Sequence, residues 1–186
     1  MVDVVEVLRR ALLPPLPDPP LPEGTPAGVL VPLVEGPNPS LLLTLRTELV
    51  LHHKGEVSFP GGVRHEEDPD LQATALRETE EELGIPSAAV EILGALPPVH
   101  TMVSGYVIVP YVGRLAELPS MSPSEVEVAE VLQLDLGRLA KAEREVLAES
   151  GRSWHAYELD GSLVWGATGR IVHSLLDVLR AEGWAP

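Results

Sequence analysis

Three glutamates in the segment RETEEELGI, residues 77–85, have the residue type and the spacing of a binding site for a divalent cation. On a helix that advances about 100° per residue, Glu78, Glu81 and Glu82 lie on one arc, and Glu80 points away from it. Carboxylates at these spacings repel each other by about 0.2–0.5 kcal/mol per pair, and a bound cation relieves the repulsion. Their hard oxygen ligands suit Mg²⁺ or Mn²⁺. A solvated acidic helix face is the alternative explanation of such a cluster taken alone.

The residues around these acids predict the helix that the acids require. Asp68 is the predicted N-cap, Pro69 takes the first helical position, and Gly84 ends the helix. Gly61 and Gly62 predict a tight turn in which the backbone approaches a phosphate and a metal ion, or else an ordinary strand-to-helix turn. The predicted apolar face of the helix consists of Leu71, Ala75, Leu76, Thr79 and Leu83.

The remaining elements follow from hydrophobic periodicity and turn residues. Pro32 favours an edge strand or a bulge for the first strand. The predicted strands cover residues 27–34, 41–46, 57–59, 90–96, 106–115 and 126–136, and a hairpin around Asp160-Gly161 joins 154–159 to 162–165. The predicted helices cover residues 2–13, 139–147 and 167–182, besides the acidic one. This pattern predicts an α+β fold with a mixed sheet between helices.

The length of 186 residues predicts a single domain, residues 1–186, in which a helix and a proline-rich connector form residues 1–26. The formal net charge of −15 argues against a nucleic acid as partner, and the absence of a long apolar run argues against a membrane span. With no cysteine and no signal-peptide pattern, a cytoplasmic location is the default expectation. The sequence leaves open whether the chain is a monomer or a homodimer.

The composition is unusual in its amide and basic residues. The chain has eleven Arg but two Lys, one Asn and two Gln, together with 19 Pro. Few thermolabile amides and proline-rich loops are typical of heat-adapted proteins. A GC-rich genome favours the same codons, so both explanations stay open.

RETEEELGI resembles the second half of the Nudix box, REUxEExGU, in which U is a bulky apolar residue. Thr79 at the first U position is a mild departure. In the first half of that box, five residues separate a glycine from an acid and seven separate the acid from the arginine. Here five residues separate Gly62 from Asp68, but eight separate Asp68 from Arg77, and Asp replaces Glu. The extra residue precedes the helix, so the carboxylate register is retained, but Asp68 could be the acid of the box or only a helix cap.

Two upstream segments resemble the signature of the coenzyme A diphosphatases within that family. They are LLTLR, residues 42–46, and GEVSFPGG, residues 55–62, with the spacing of the signature. Thr47 replaces Ser or Ala, and Leu51 replaces a second Arg, for which the neighbouring His53-Lys54 could supply the charge. WGAT, residues 165–168, resembles a WGLT-like segment of the same subfamily.

These resemblances imply an α/β/α sandwich and metal-dependent hydrolysis of a pyrophosphate linkage, with coenzyme A cleaved to 3′,5′-ADP and 4′-phosphopantetheine. The implied cofactor is Mg²⁺ or Mn²⁺, and the substrate is a small diphosphate molecule. The implied metal ligands are Glu78, Glu81 and Glu82, with Glu78 as the first candidate for the general base. Substrate contacts are expected from Arg46, His53, Lys54, Gly61 and Gly62.

Two further residues have expected roles at this site. Arg77 begins the carboxylate cluster and could orient Glu78 or Glu81 by a bidentate pair. Nudix enzymes often recruit an extra carboxylate from a downstream segment. If that segment is a strand, Glu127 and Glu130 point to opposite faces, so at most one of them joins the site directly. Glu127 is our choice, and it is also the second candidate for the base.

Two alternatives remain. A broader hydrolase of ADP-ribose or NADH is the second enzymatic interpretation, because Leu51 departs from the signature. A catalytically silent Nudix-fold binding module is the non-enzymatic interpretation. The presence of Arg77, Glu78, Glu81 and Glu82 argues against it, because a silent relative would be free to lose these residues.

Overall fold

The structure, a computed structural model, describes residues 3–12, 14, 23–48, 55–101, 105–147 and 153–186. Its helices are α1 (Val4–Ala11), α2 (Leu71–Leu83), α3 (Leu136–Ala142) and α4 (Gly166–Ala181). The strands of the main sheet are β1 (Thr25–Val34), β2 (Ser40–Arg46), β3 (Val57–Ser58), β4 (Gly61–Val63), β5 (Glu91–Ala95), β6 (Val99–His100), β7 (Tyr106–Leu115) and β8 (Val128–Asp135). A smaller sheet consists of β9 (Glu143–Leu147), β10 (Ser153–Leu159) and β11 (Ser162–Val164).

Strand β1 is the centre of the main sheet. It pairs in parallel with β7 along its whole length, from Thr25↔Tyr106 to Val34↔Leu115. On its other side it pairs antiparallel first with β4 and then with β2. Parallel and antiparallel pairs therefore meet at β1, and the sheet is mixed, as the sequence predicts. Since helices cover both faces of β1, its sequence is apolar at nearly every position.

The expectation that Pro32 marks an edge strand or a bulge is wrong, because β1 pairs with β7 without a shift in register. The residue lies in the interior strand β1, where it is opposite Gly113 of β7. On the other side of β1, Leu30 N donates to Pro60 O, and the next ladder pair begins at Leu33. Because alternate residues direct their nitrogens to the same side, Pro32 lies in the gap between these two partners, where no N–H is needed.

The two faces of the main sheet carry different helices. Leu71 and Ala75 of α2 pack with Leu30 and Tyr111 on one face. Helices α1 and α4 pack on the other face, against Val31, Leu41 and other alternate residues of β1 and β2. The result is an α/β/α arrangement in which α2 has one face of the sheet largely to itself.

Helix α1 is amphipathic, as predicted, and buries Val5, Leu8 and Leu12. Asp3 caps it by accepting a hydrogen bond from Val5 N. Of the predicted connector 14–26, residues 15–22 lie outside the described residues, and Pro26 belongs to β1. No helix in the described part of the chain is long and apolar enough to cross a membrane.

The predicted helix over 139–147 is correct for its first four residues and wrong for the rest. Helix α3 ends at Ala142, and residues 143–147 form β9, which pairs antiparallel with β10 from Glu143↔Tyr157 to Leu147↔Ser153. Pairing with the next strand, β10, thus overrides the local helix propensity of this charged segment. The hairpin after β10 is confirmed, with φ of 52° at Asp160 and 80° at Gly161. Both are the left-handed values that a two-residue hairpin turn of the type I′ class requires.

The contact between β1 and α2 tolerates no side chain at Gly28. A Cβ there would lie 2.1 Å from the backbone oxygen of Leu71, at the start of α2. We predict that Gly28→Ala lowers the free energy of unfolding by about 1–3 kcal/mol, because α2 must move away from β1 to make room for the added methyl group. Urea unfolding measures this, with Gly36→Ala as the matched control, since nothing lies within 4 Å of a Cβ at Gly36. Equal midpoints for the two variants would contradict the close contact.

Candidate active site

Helix α2 directs Glu78 and Glu82 inward and Glu80 outward, as the sequence predicts, but Glu81 is exposed. Glu82 is 2% exposed, Glu78 is half-buried, and Glu80 and Glu81 are exposed. The helix ends as predicted at Gly84, with a φ of 69°. It begins later than predicted, at Leu71. The N-cap is Asp70, whose Oδ1 accepts from Ala73 N at 2.8 Å.

Asp68 is therefore not the helix cap. It is buried, and its two oxygens accept hydrogen bonds from Arg77 Nε and Nη2, both at 3.0 Å. Thr74 Oγ1, at 2.9 Å, and His65 N, at 3.0 Å, also donate to it. The Arg77 hydrogen bonds, against the effect of burial, hold the pKa of Asp68 well below its usual range. Asp68 thus binds Arg77 in a bidentate ion pair, although the segment between them is one residue longer than in the Nudix box.

Arg77 contacts two of the helix acids from this fixed position. Its Nη2 lies 2.9 Å from Glu78 Oε1, and its Nη1 donates to Glu81 Oε2 at 3.0 Å. The bidentate partner of Arg77 is Asp68, however, and Glu78 and Glu81 each receive a single contact. The side chain of Glu81 is 59% exposed, so this acid lies at the rim of the site.

Glu82 is the buried acid of the site. Its Oε1 lies 3.4 Å from Arg46 Nη1, and its Oε2 has no hydrogen-bond partner among the described residues. Burial raises the pKa of Glu82 to about 7, and the negative charges of Glu78 and Glu127 add to this effect, while Arg46 opposes it. Arg46, at the end of β2, thus faces the Glu82 carboxylate, and its predicted contact with the substrate stays a prediction.

Glu127 lies in a turn before β8, so the expectation that it occupies a strand is wrong. Its backbone oxygen accepts from Thr47 N at 3.0 Å, and Thr47 Oγ1 donates to Val126 O at 2.6 Å. Ser124 N donates to the backbone oxygen of Glu82 at 2.9 Å. These hydrogen bonds hold the turn against α2 and β2.

Glu130, by contrast, lies in β8 and is exposed. Sequence reasoning missed the role of Thr47, which carried no signal except its departure from the signature.

Gly61 and Gly62 form strand β4 rather than the predicted turn. They pair with Val29 and Gly28 of β1. A Cβ on Gly61 would lie 2.5 Å from Gly28 O, and one on Gly62 would lie 2.5 Å from Glu78 Oε1. The absence of side chains therefore lets β4 approach β1 and lets the Glu78 carboxylate lie against the strand.

A cleft of about 630 Å³ lies beside β2, β3 and β8, under the β10–β11 hairpin. Leu45, Val57, Leu163 and Trp165 contribute apolar surface to it, and Trp165 is 46% exposed. Leu45 belongs to the side of β2 that faces α4, so the cleft and the helix acids lie on opposite faces of the sheet. His53, Lys54 and Leu51 lie outside the described residues.

The donor set fits a hard divalent cation. No three carboxylate oxygens of these acids lie within 4.8 Å of one another in the described part of the chain, because Glu81 turns to Arg77. Glu78 and Glu82 remain, and the unpartnered Oε2 of Glu82 is the kind of atom that a cation satisfies. Mg²⁺ is usually bound by one or two carboxylates, with water and substrate phosphate as its other ligands.

Comparisons with known proteins agree with this geometry. Residues 24–150 match the NUDIX domain family. The chain belongs to the Nudix hydrolase family. It is 41% identical over 155 residues to the Nudix hydrolase NudL of Escherichia coli O7:K1, covering 80% of each chain.

Two solved structures resemble the fold. The MutT protein of Methanosarcina mazei has a TM-score of 0.58 at 15% identity, covering 88% of this chain and 99% of that one. The Nudix domain of Shewanella oneidensis NrtR, in complex with ADP ribose, has a TM-score of 0.51 at 20% identity, covering 65% and 79%. The predicted fold class, α+β with a central mixed sheet, is confirmed. As a Nudix hydrolase the chain is an enzyme that hydrolyses pyrophosphate linkages in small molecules, and such enzymes generally use divalent metal ions.

The raised pKa of Glu82 predicts how the metal-free protein responds to pH. Because the folded state holds this proton more tightly than the unfolded state, stability from this group is present below the unfolded pKa of about 4.5 and is lost as pH rises to about 7. We predict that Glu82→Gln raises the free energy of unfolding relative to wild type at pH 7.5, by on the order of 1–3 kcal/mol, and not at pH 5.

Urea unfolding in a metal chelator at the two pH values measures this difference. Glu80→Gln is the matched control, because Glu80 is exposed on the other side of α2. A difference between Glu82→Gln and wild type that does not change with pH would show that Glu82 has an ordinary pKa.

Proposed function

We propose that the chain is a coenzyme A diphosphatase, which hydrolyses coenzyme A to 3′,5′-ADP and 4′-phosphopantetheine. The observation that carries the proposal is the lining of the cleft. Leu45 of LLTLR, Gly55 and Val57 of GEVSFPGG, and Trp165 of WGAT all line it. Three segments that resemble one subfamily, up to about a hundred residues apart in the chain, thus contribute to one surface.

A substrate with two chemically different ends suits this arrangement. The diphosphate would lie at the α2 acids and Arg46, and the pantetheine arm, with its apolar and amide groups, would lie in the cleft. Leu45 and Arg46 are neighbours on β2 with side chains on opposite faces of the sheet. A long flexible arm is therefore needed to reach both. His53 and Lys54, on the segment that follows, are the proposed partners of the remaining phosphate.

We propose that Glu78 and Glu82 hold Mg²⁺ or Mn²⁺ with Glu127 beside them, and that Glu81 joins from the rim. When bound, the cation neutralises the diphosphate and lowers the pKa of a water molecule. Glu78 accepts the proton of the water whose oxygen attacks one phosphorus, and the bond from that phosphorus to the bridging oxygen breaks. The departing phosphate keeps the bridging oxygen. Glu127 is the second candidate for this base.

Other residues act by positioning. Arg77, which Asp68 binds in a bidentate pair, holds Glu78 by its Nη2 contact at 2.9 Å and does not need to touch substrate. The glycine at position 62 leaves room for the Glu78 carboxylate. Burial raises the pKa of Glu78, although Arg77 opposes the effect, and a raised pKa suits a group that must accept a proton near neutral pH.

Hydrolysis of ADP-ribose or NADH is the second candidate. Leu51 stands where the subfamily signature has a second Arg, which removes one partner for the 3′-phosphate of coenzyme A. The structural resemblance to a Nudix domain in complex with ADP ribose supports the same alternative at the level of the fold.

A substrate panel tests the proposal. With Mg²⁺ or Mn²⁺ present, we predict a higher kcat/KM for coenzyme A than for ADP-ribose, NADH or a nucleoside triphosphate. Dephospho-coenzyme A should lose less than ~10-fold, because a solvent-exposed charge contact contributes about 1 kcal/mol or less. Preference for ADP-ribose over coenzyme A would reject the subfamily and leave the hydrolysis of pyrophosphate linkages unaffected.

The acids of α2 can be tested separately from the substrate. We predict that Glu82→Gln lowers turnover by at least ~100-fold and weakens Mg²⁺ binding, as the loss of a metal-site group typically does. Glu80→Gln changes the same residue type on the exposed side of the same helix and should have little effect. An equal loss of activity in both variants would contradict the proposed site.

The cleft can be tested by its selectivity. We predict that Trp165→Ala raises KM for coenzyme A about 5- to 30-fold, the effect of losing about 1–2 kcal/mol of apolar contact, and leaves ADP-ribose hydrolysis unchanged. Leu118→Ala is the matched control, since Leu118 is a large exposed apolar residue outside the cleft, 47% exposed. If Trp165→Ala affected both substrates equally, the cleft would not hold the pantetheine arm.

A further inference from the structure

A second group of potential metal ligands lies away from the α2 acids, where the smaller sheet meets α4. Glu143 begins β9, His155 lies on β10, and His173 and Asp177 lie one turn apart on α4. Residue 143 is opposite Tyr157 in the strand pair, and His155, two residues before Tyr157, lies on the same face of the sheet. Three elements thus bring two imidazoles and two carboxylates together.

The donor atoms have the spacing of a metal coordination shell. Glu143 Oε1 lies 2.7 Å from His173 Nδ1 and 3.1 Å from His155 Nδ1. One ligand atom from each of these three residues can be chosen so that all lie within 4.8 Å of one another. Metal–ligand bonds of about 2.0–2.2 Å place neighbouring ligands about 3.0–3.5 Å apart. The Glu143–His155 separation lies in this range, and the Glu143–His173 separation would lengthen when a cation binds.

Hydrogen bonding within the group leaves one nitrogen unsatisfied. His155 Nδ1 is buried and has no hydrogen-bond partner among the described residues, although Glu143 Oε1 lies 3.1 Å away. That oxygen already accepts from Tyr157 OH, at 2.9 Å, and lies against His173 Nδ1. The two imidazole rings are stacked, with centroids 3.4 Å apart and planes at 10°. A cation between the ligand atoms would satisfy the nitrogen that the hydrogen bonds do not.

The surrounding charges suit a divalent cation. Arg180 Nη2 donates to Glu143 Oε2 at 2.6 Å and so fixes the carboxylate with Oε1 directed at the histidines. His173 Nε2 lies 3.1 Å from Asp177 Oδ2, so Asp177 is within reach of the same ring. The charges of Glu143 and Asp177 exceed that of Arg180, and the group is negative when the histidines are neutral.

We propose that Glu143, His155 and His173 form a binding site for a transition-metal dication with nitrogen and oxygen ligands, such as Zn²⁺. Asp177 would accept a hydrogen bond from Nε2 of His173 and so orient that ring. Imidazole ligands favour Zn²⁺ over Mg²⁺, so this site and the α2 acids would take different metals. Since ring lone pairs lie in the ring planes, one of the stacked rings must turn about its Cβ–Cγ bond to share the cation. The side chains of His155 and His173 are 26% and 29% exposed, which gives the rings room to turn.

The bound cation would tie α4 to the β9–β10 pair, and its role would be structural. The site is independent of the proposed coenzyme A hydrolysis, because it shares no residue with the α2 acids or with the cleft.

Nuclear magnetic resonance of the wild-type protein tests the site without any substitution. Long-range ¹H–¹⁵N spectra report the ring nitrogens of each histidine, and Zn²⁺ is added in equimolar amount, in the presence of excess Mg²⁺. The expected result is a shift of the His155 and His173 ring nitrogens, with His65 and His100 unchanged. If the His155 and His173 nitrogens do not move, the proposal is rejected.

Calorimetric titration with Zn²⁺ gives the second measurement, in a Glu78→Gln/Glu82→Gln background that removes metal binding at the α2 acids. We expect one equivalent to bind, and the affinity to fall at least ~10-fold in His155→Gln and in His173→Gln. His100→Gln, a change at an exposed histidine outside the group, should retain the affinity. Circular dichroism shows whether the two variants are folded. If His155→Gln and His173→Gln are folded and both bind Zn²⁺ as tightly as their background, the assignment is overturned.

Discussion

The ion pair between the buried Asp68 and the half-buried Arg77 is the interaction on which the active-site helix depends. A guanidinium offers five N–H donors in one plane, and Arg77 uses them to contact Asp68, Glu78 and Glu81. The charge of Arg77 is already neutralised by Asp68, which takes no other role in the site. Arg77 and Arg46 therefore offset only part of the negative charge of Glu78 and Glu82, and the rest is left for a cation. Loss of Arg77 would leave the buried carboxylate of Asp68 without its charged partner, whereas loss of Asp68 would leave Arg77 with Glu78 and Glu81.

The site holds its carboxylates in an arrangement that is unfavourable without a cation. Burial and two neighbouring acids raise the pKa of Glu82, and Arg46 offsets only part of this effect. Strand β4 carries two glycines where side chains would strengthen a strand, because a side chain at Gly62 would displace the Glu78 carboxylate. A cation that binds only the folded state returns stability by mass action. The burial and charge repulsion that make the Glu82 carboxylate unfavourable in the metal-free protein are thus also what a bound cation would relieve.

Features that depend on residues within one helix or one turn could be predicted from the sequence, and these features define most of the fold. The register of Glu78 and Glu82, the left-handed residue at Gly84 and the hairpin at Asp160-Gly161 each depend on residues within a few positions of one another. The sequence predicts Asp68 as the N-cap, whereas Asp70 caps the helix and Asp68 binds Arg77, a contact that the local pattern does not indicate.

Pairings between different strands account for the other differences. Strand β9 exists because β10 pairs with it, and the local sequence favours a helix instead. Pro32 is tolerated in an interior strand because the partner of β1 changes from β4 to β2 beside it. The meeting of Glu143 with His155 and His173 depends on the same β9–β10 pair and on the docking of α4, so no spacing in the sequence indicates it.

Backbone hydrogen bonds explain how two acids that repel each other stay together. Ser122 N and Ser124 N donate to the backbone oxygens of Leu83 and Glu82, and Thr47 N donates to that of Glu127. The repulsion between the carboxylates of Glu82 and Glu127 therefore acts against main-chain bonds rather than against flexible side chains. The hydroxyl of Thr47 adds a bond to Val126 O at 2.6 Å, which a serine could also make and an alanine could not. Because these bonds run to α2, to β2 and to the turn before β8, the position of Glu127 is set by the fold and not by the sequence of its own segment.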